Sequence, residues 1–509
     1  MSFLAFRLER AIPLQRSFSN PPLRARVFTY THLRVHYALA ILAAICGLLG
    51  PSHRGCASAQ TFSFATTRAH HKASPPAASS AGAALDDSAC VYRTSKLSCE
   101  PAGYCSFQFK LGDLSLDQSC RVDTAKVGMM PQQLHLAYAG ESAGTAITLS
   151  WTTYSPVSNP RVWIGASPAT LALSETSVQV ATYYEEDKGK YALYSYHATV
   201  AKLTLFTKYF YRARSRSPTS KALPTHFTTA RATNTNATFE IAVYGDFGAD
   251  AKAQETLKYV TSTLPGTLIP YMVSVGNHEA ECHSPACVAS GTKRAALGNY
   301  SVFNARFKMP SRESGGASNM WYAFEYGPVY FTSVSSETDY AGAPANSLFM
   351  GKANANRVNV PWLVVGMHRA IYTLDQCDEQ GVPIGKALPV QRGFEELFLK
   401  YNVDVVIAGH VHSYERHYPI TRNVAVLVGV SGDAKTYTNP KAPVYITTGA
   451  AGNTEGHNNY KRTKAPWNVV VDAAHYGISK LKVTRESLTW SFVATATGDV
   501  LNEFAIVKS

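Results

Sequence analysis

Six side chains able to bind a metal ion or move a proton stand at the ends of four short apolar runs. Asp246 follows "FEIAVYG", Asn277 and His278 follow "PYMVSVG", His368 closes "PWLVVGMH", and His410 and His412 follow "VDVVIAG". Carboxylate, amide oxygen and imidazole are donors suited to zinc, iron or manganese in open hydrolytic sites. A lone aspartate after a strand is normally a helix cap, and a lone His-x-His is ordinarily a solvated loop. Four apolar runs that each end in such a donor are not accounted for that way. Gly245, Gly276 and Gly409 precede the donors, which predicts a sharp backbone turn and close approach to an ion.

The runs are β-branched and read as buried strands, with helical spacing between some of them, as in "DAKAQETLKYVTSTL" (250–264) and "VQRGFEELFLKY" (390–401). Residues 238–509 thus have α/β texture, with the donors at strand carboxyl ends, where open sheets hold their ligands. Residues 128–231 differ: short alternating runs separated by turn-formers predict a β-sandwich. Residues 60–89, rich in Ala, Ser and His, read as a disordered linker. Residues 90–127 are a cysteine-rich segment. Cys90, Cys99, Cys105 and Cys120 lack zinc-ribbon spacing and are disulfide candidates with their pairing open. Cys282 and Cys287, flanking "HSPA", can close a small loop, and Cys377 is left over.

Of the 509 residues, 46% are hydrophobic and 16% charged, as in ordinary globular material, and the formal charge is +13. Seven arginines and one acid fall within 1–59; without them 41 basic and 34 acidic side chains remain, a balance of +7. That suits anionic small substrates. No basic block or basic-aromatic repeat supports nucleic-acid binding. "YALAILAAICGLLG" (37–50) has the length of a signal core and is too short to span a bilayer. "CASAQ" offers a cleavage site after Ala59. Residues 1–59 therefore read as a targeting segment, and the chain as secreted or lumenal. The sequons at Asn236 and Asn299 agree.

The order GDFG, GNHE, VVGMH and GHVHSYER, together with "PQQLHLAYAG" and "APVYITTGAAGNTEG", resembles the purple acid phosphatases of the calcineurin-like metallophosphoesterase superfamily over about residues 128–509. The resemblance implies an α+β multidomain chain, with a fibronectin-like β-sandwich followed by an α/β/α-sandwich metallophosphoesterase domain. It implies Asp246 and His412 on a ferric ion. Asn277, His368 and His410 would hold a second ion of iron, zinc or manganese. His278 would contact phosphate and protonate the leaving oxygen, while Tyr414, Glu415 and Arg416 would orient the metal-bound imidazoles. The implied reaction is hydrolysis of phosphate monoesters by a metal-activated hydroxide.

One family block is missing. GDxxY, whose aspartate bridges the two ions and whose tyrosine binds the ferric one, belongs between GDxG and GNHE. Here Asp246 and Asn277 are only 31 residues apart, and the acids between them, Asp250 and Glu255, stand in no such pattern. A helix expected within 340–361 is also missing. The surviving ligands imply a weakened centre, with one ion rather than two. Two alternatives follow: an inactive relative that serves as a binding or structural protein, or a phosphodiesterase or nucleotide pyrophosphatase on the same scaffold.

Overall fold

The computed structural model describes residues 4–11, 90–93, 96–99, 107–108 and 129, and then 131–509 apart from 141–143, 154, 175, 187–190, 215–224, 249–250, 264–269, 281–290, 317, 338–353 and 461–463. The linker at 60–89, Cys105, Cys120, Cys282, Cys287 and most of 340–361 lie outside the described residues. Cys90 and Cys99 are backbone partners across a short antiparallel hairpin. Among the described residues no helix is long and apolar enough to cross a membrane.

The alternating runs after residue 131 form two four-stranded sheets. One has the order Gln132–Ala139, Ala146–Thr153, Tyr191–Val200, Val178–Glu186; the other Thr225–Thr228, Lys208–Arg214, Arg161–Gly165, Ala172–Leu173. Trp151 is buried between them and stacks on Tyr196 with ring centroids 5.4 Å apart. The sandwich meets the second domain through apolar packing, as of Tyr138 on Tyr326, and through polar contacts. His197 Nε2 lies 3.0 Å from the Ala305 carbonyl, and its Nδ1 lies 2.8 Å from Ser150 Oγ. Arg306 donates to Gln133 Oε1 at 2.6 Å, and the His135 ring sits 5.1 Å from that of Phe307. Burial pushes His197 down to about 4 and His135 to about 3, so both imidazoles are neutral.

The second domain is built on two larger sheets. Its principal elements are β1 (Leu4–Ala11), β2 (Phe239–Tyr244), α1 (Ala251–Thr263), β3 (Tyr271–Ser274), α2 (Asn277–Ala280), β4 (Trp362–Arg369), α3 (Ala387–Lys400), β5 (Val405–Gly409), β6 (Tyr414–Thr421), β7 (Val444–Thr448) and β8 (Gly477–Val483). The first sheet runs β3-β1-β2-β8 and then through Ser487–Ala494, Val500–Val507 and Thr436–Thr438. The second runs from Tyr322–Tyr326 and Val329–Ser333 through β4, β5, β7 and β6. β4, β5 and β7 are mutually parallel and completely buried, as their unbroken apolar sequences require. α3 covers this sheet with Val390, Phe394 and Phe398, all at helical spacing and all buried. The α+β architecture read from the sequence is the one the chain adopts. Residues 4–11 bring a surprise: they lie within the segment read as targeting and form a strand inside the first sheet.

Candidate metal centre

The donors gather where the carboxyl ends of the two sheets meet. β2 delivers Asp246 and β3 delivers Asn277 and His278; β4 carries His368 and β5 delivers His410. The sheets are joined at this pole by backbone: the Gly245 N–H donates to the Thr448 carbonyl at 2.8 Å. The His410 N–H donates to Asp246 Oδ2 at 2.7 Å.

The sharp turns fall on the donors rather than on the glycines before them. Asp246 has φ 56° and His410 has φ 68°, both left-handed, a conformation uncommon outside glycine and concentrated at functional sites. Gly245 and Gly409 supply room instead. A Cβ on Gly409 would stand 2.6 Å from Asp246 Oδ2 and 3.6 Å from His368 Nδ1; one on Gly245 would stand 3.3 Å from the Gly409 Cα. The expectation that these glycines make the turn is corrected to one of close approach.

Asp246 and His412 face each other, with Asp246 Oδ1 3.7 Å from His412 Nε2. His412 Nδ1 lies 3.1 Å from the Gly456 carbonyl, which can only accept, so Nδ1 carries the proton and Nε2 presents its lone pair toward Asp246. The His412 N–H donates to Asn458 Oδ1 at 2.7 Å. His368 Nε2 lies 2.7 Å from Asn277 Oδ1, while His368 Nδ1 is buried without a hydrogen-bond partner. The rings of His368 and His410 approach to 5.1 Å, edge to face. Burial, then the neighbouring His410 and Arg369, hold His368 well below the usual histidine range; burial, then Arg369, push His410 down to about 3. Both are neutral, the state a metal requires.

His410 has a second engagement. Its Nε2 accepts from Arg369 Nη1 at 2.7 Å, and the Arg369 Nε lies 2.7 Å from Glu337 Oε1, all three being buried or nearly so. Among the described residues no group of three or more His, Cys, Asp or Glu side chains is close enough to hold an ion. The donor types, the neutral imidazoles of His368 and His410 and the His412 Nε2 turned toward Asp246 fit a metal ion. His410 as drawn toward Arg369 fits less well.

His278 is a third exposed, with Nε2 3.8 Å from Glu455 Oε1; Glu455 Oε2 lies 3.8 Å from His412 Nδ1. Tyr414, Glu415 and Arg416, beyond Ser413 in the same motif, engage partners other than the metal-site imidazoles. Tyr414 donates to Asn502 and stacks on Phe492 at 4.4 Å. Glu415 accepts from Thr373 Oγ1, the Leu374 N–H and Tyr460 Oη, and Arg416 donates to the Ala434 carbonyl and Tyr437 Oη. β6 is extended from residue 414, so successive side chains turn to opposite faces and brace the sheet. Gly456 and Arg369 orient the imidazoles instead. Both were missed in the sequence, along with Glu455 and Asn458. The "GNTEG" stretch enters the sequence reading only as part of the resemblance. Asn236 and Asn299 are both exposed, as a glycan would need.

Comparison with known proteins bears on the family and the fold. The family profiles matched are purple acid phosphatase N-terminal domain over residues 131–229, calcineurin-like phosphoesterase over 232–414, and iron/zinc purple acid phosphatase-like protein C over 442–503. An acid phosphatase of Aspergillus ficuum is 29% identical over 310 residues, 47% of this chain and about half (49%) of that protein. Acid phosphatase type 7 of Mus musculus is 28% identical over 402 residues, covering 69% of this chain and 85% of the relative. The solved purple acid phosphatase PPD1 from yellow lupin (Lupinus luteus) seeds shares the fold at a TM-score of 0.61 and 19% identity, over 75% of each chain. With its sandwich, its catalytic sheets and its carboxyl-terminal strands each matched by the corresponding profile, the chain belongs to the purple acid phosphatase family.

Proposed function

We propose that this chain is a secreted, metal-dependent acid phosphatase that hydrolyses phosphate monoesters. The observation that carries the reading is the convergence of Asp246, Asn277, His368, His410 and His412 from two sheets onto one pole, with His278 beside them at the surface. Asn277 and His368, with His410 if it leaves Arg369, would hold the one ion expected here, while Asp246 and His412 stand where the family's ferric ion would bind. When bound, the metal supplies Lewis-acid charge neutralisation and an activated water. The chain's own residues do the rest. Burial holds His368 well below the usual histidine range, so its unpartnered Nδ1 stays unprotonated down to acid pH. Gly456 fixes the tautomer of His412. Arg369, paired to Glu337, holds the His410 ring in place. His278, partly exposed beside the Glu455 carboxylate, is placed to give a proton to the departing alkoxide. Secretion is supported by the apolar run at 37–50 and by the exposure of both sequons; it predicts a mature amino terminus near Gln60, read by sequencing secreted protein.

The catalytic reading is tested with His278→Ala. The variant should lower kcat on an alkyl phosphate by roughly 10²–10⁴, the usual contribution of a general acid. The loss on an aryl phosphate, whose leaving group needs little protonation, should be smaller. Equal losses on both remove His278 from the acid role. Loss of neither activity on replacing Asp246 by Ala removes the metal reading altogether.

A further inference from the structure

β1 pairs antiparallel with β2 on one edge and with β3 on the other. Ala5 faces Tyr244 and Val273, Phe6 faces Val243 and Met272, and Arg7 faces Ala242 and Tyr271. β2 and β3 are therefore parallel to each other and one strand apart. They are consecutive in their part of the chain, joined by 26 residues whose described part holds α1. Among the described residues of that connection none pairs between them; the strand that does is β1. The filler comes from more than 220 residues upstream.

Without β1 the two edges would have to pair with each other or take another strand. Ile241, Val243, Met272 and Val273 are all completely buried. Two facing strand edges in such an interior carry rows of N–H and C=O groups, each costly to leave unpaired. Apolar side chains cannot satisfy them; an extended backbone can, as in recognition by strand addition. The occupant is also an odd one for an interior strand. "LAFRLERA" carries Arg7, Glu9 and Arg10, whereas strands paired on both edges are ordinarily apolar.

The position matters to the site. β2 ends two residues before Asp246 and β3 three residues before Asn277. With one strand between them the two ends stand about 9–10 Å apart, two strand spacings. Direct pairing of β2 with β3 would halve that distance.

We propose that the space between β2 and β3 is a strand-acceptor site, that Leu4–Ala11 is its occupant in the full chain, and that this strand sets the separation of Asp246 from Asn277. Its partner class is an extended segment running antiparallel to both neighbours. Removal of residues 1–59, as secretion would bring about, takes the strand out. The unprocessed and processed chains then differ at the floor of the metal centre.

Hydrogen exchange on the full 509-residue chain, made without passage through a secretory route, tests this independently of any phosphatase activity. Amides of residues 5–8 should be protected about 10³-fold or more over an unstructured peptide, in step with those of β2. Exchange at the unstructured rate overturns the proposal. Leu8→Pro, which removes a donor and cannot sit in a central strand, should lower protection in β2 and β3 at least tenfold and weaken zinc binding. Ala69→Pro, in the linker, should do neither. If Leu8→Pro fails to fold, the exchange of the unsubstituted chain still decides. If Leu8→Pro folds with β2 and β3 protected as before, the strand does not hold the sheet and the proposal fails.

Discussion

Replacing Gly409 by alanine tests whether the crowding at the pole of the two sheets shapes the metal centre. The new methyl would lie 2.6 Å from Asp246 Oδ2, well inside contact distance. Gly449 also crowds this oxygen: an added Cβ there would stand 2.8 Å from it. Asp246 is completely buried, and its Oδ2 accepts the His410 N–H that ties the sheets together. Overpacking a dense core costs roughly 1–3 kcal/mol, and straining a hydrogen bond to a charged group adds roughly 1 kcal/mol. A total of roughly 2–4 kcal/mol should lower Tm by about 5–10 °C. Displacement of Asp246 should weaken metal binding roughly tenfold, the equivalent of 1.4 kcal/mol. Gly432→Ala is the control, because its Cβ meets nothing within 4 Å; it should stay within about 0.5 kcal/mol of the parent. Scanning calorimetry and zinc titration read both quantities. Gly409→Ala with the parent's Tm and affinity would refute the claim that glycine is there for space.

Two further outcomes follow from the structure. His197 and His135 are neutral in the fold, at about 4 and about 3, but protonate in the unfolded chain below about 6.5. The unfolded state therefore binds more protons, and stability falls as pH drops from about 6.5 toward 4, by roughly 3 kcal/mol for His197 alone. Glu415 acts in the opposite sense. Burial raises its carboxyl to about 7 from 4.5, so its contribution is present below pH 4.5 and is lost as pH rises toward 7. In urea unfolding across pH, His197→Asn should flatten the acid limb and Glu415→Gln the neutral limb; an unchanged profile in either variant refutes that assignment. For metal content, the chain as written should bind about one divalent ion and be colourless, because the family's bridging aspartate and iron-binding tyrosine are absent from their place and Arg369 competes for His410. Two ions per chain with a visible charge-transfer band would overturn this.

The strand-end donors were legible because each is local: an apolar run, a glycine, then a chemically capable residue. α3 was legible because Val390, Phe394 and Phe398 repeat at helical spacing. What escaped depends on contacts between distant segments. Arg369 stands next to His368 in sequence, yet its tie to His410 spans 41 residues. Gly456 fixes the His412 tautomer across 44 residues, through a carbonyl that no residue type announces. β1 escaped for the same reason. Its eight residues look unremarkable beside a targeting segment, and only the edges of β2 and β3 give them a place. Tyr414, Glu415 and Arg416 were misplaced because a motif's spacing says which residues are near one another and not where an extended strand turns them.

The bond between the His410 amide and Asp246 joins residues 164 positions apart, on different sheets. At a synthesis rate of about 5–20 residues per second, Asp246, Asn277 and His278 emerge from the ribosome several seconds to half a minute before the histidines of β4 and β5. Neither half of the nascent chain contains a centre, and a chain arrested before Gly409 cannot acquire one. Loading is thereby placed last in the maturation sequence, after the two sheets have docked. The rate at which zinc is taken up on refolding would then be a clock for that docking, slower than the folding of the sandwich and insensitive to zinc concentration once docking limits it.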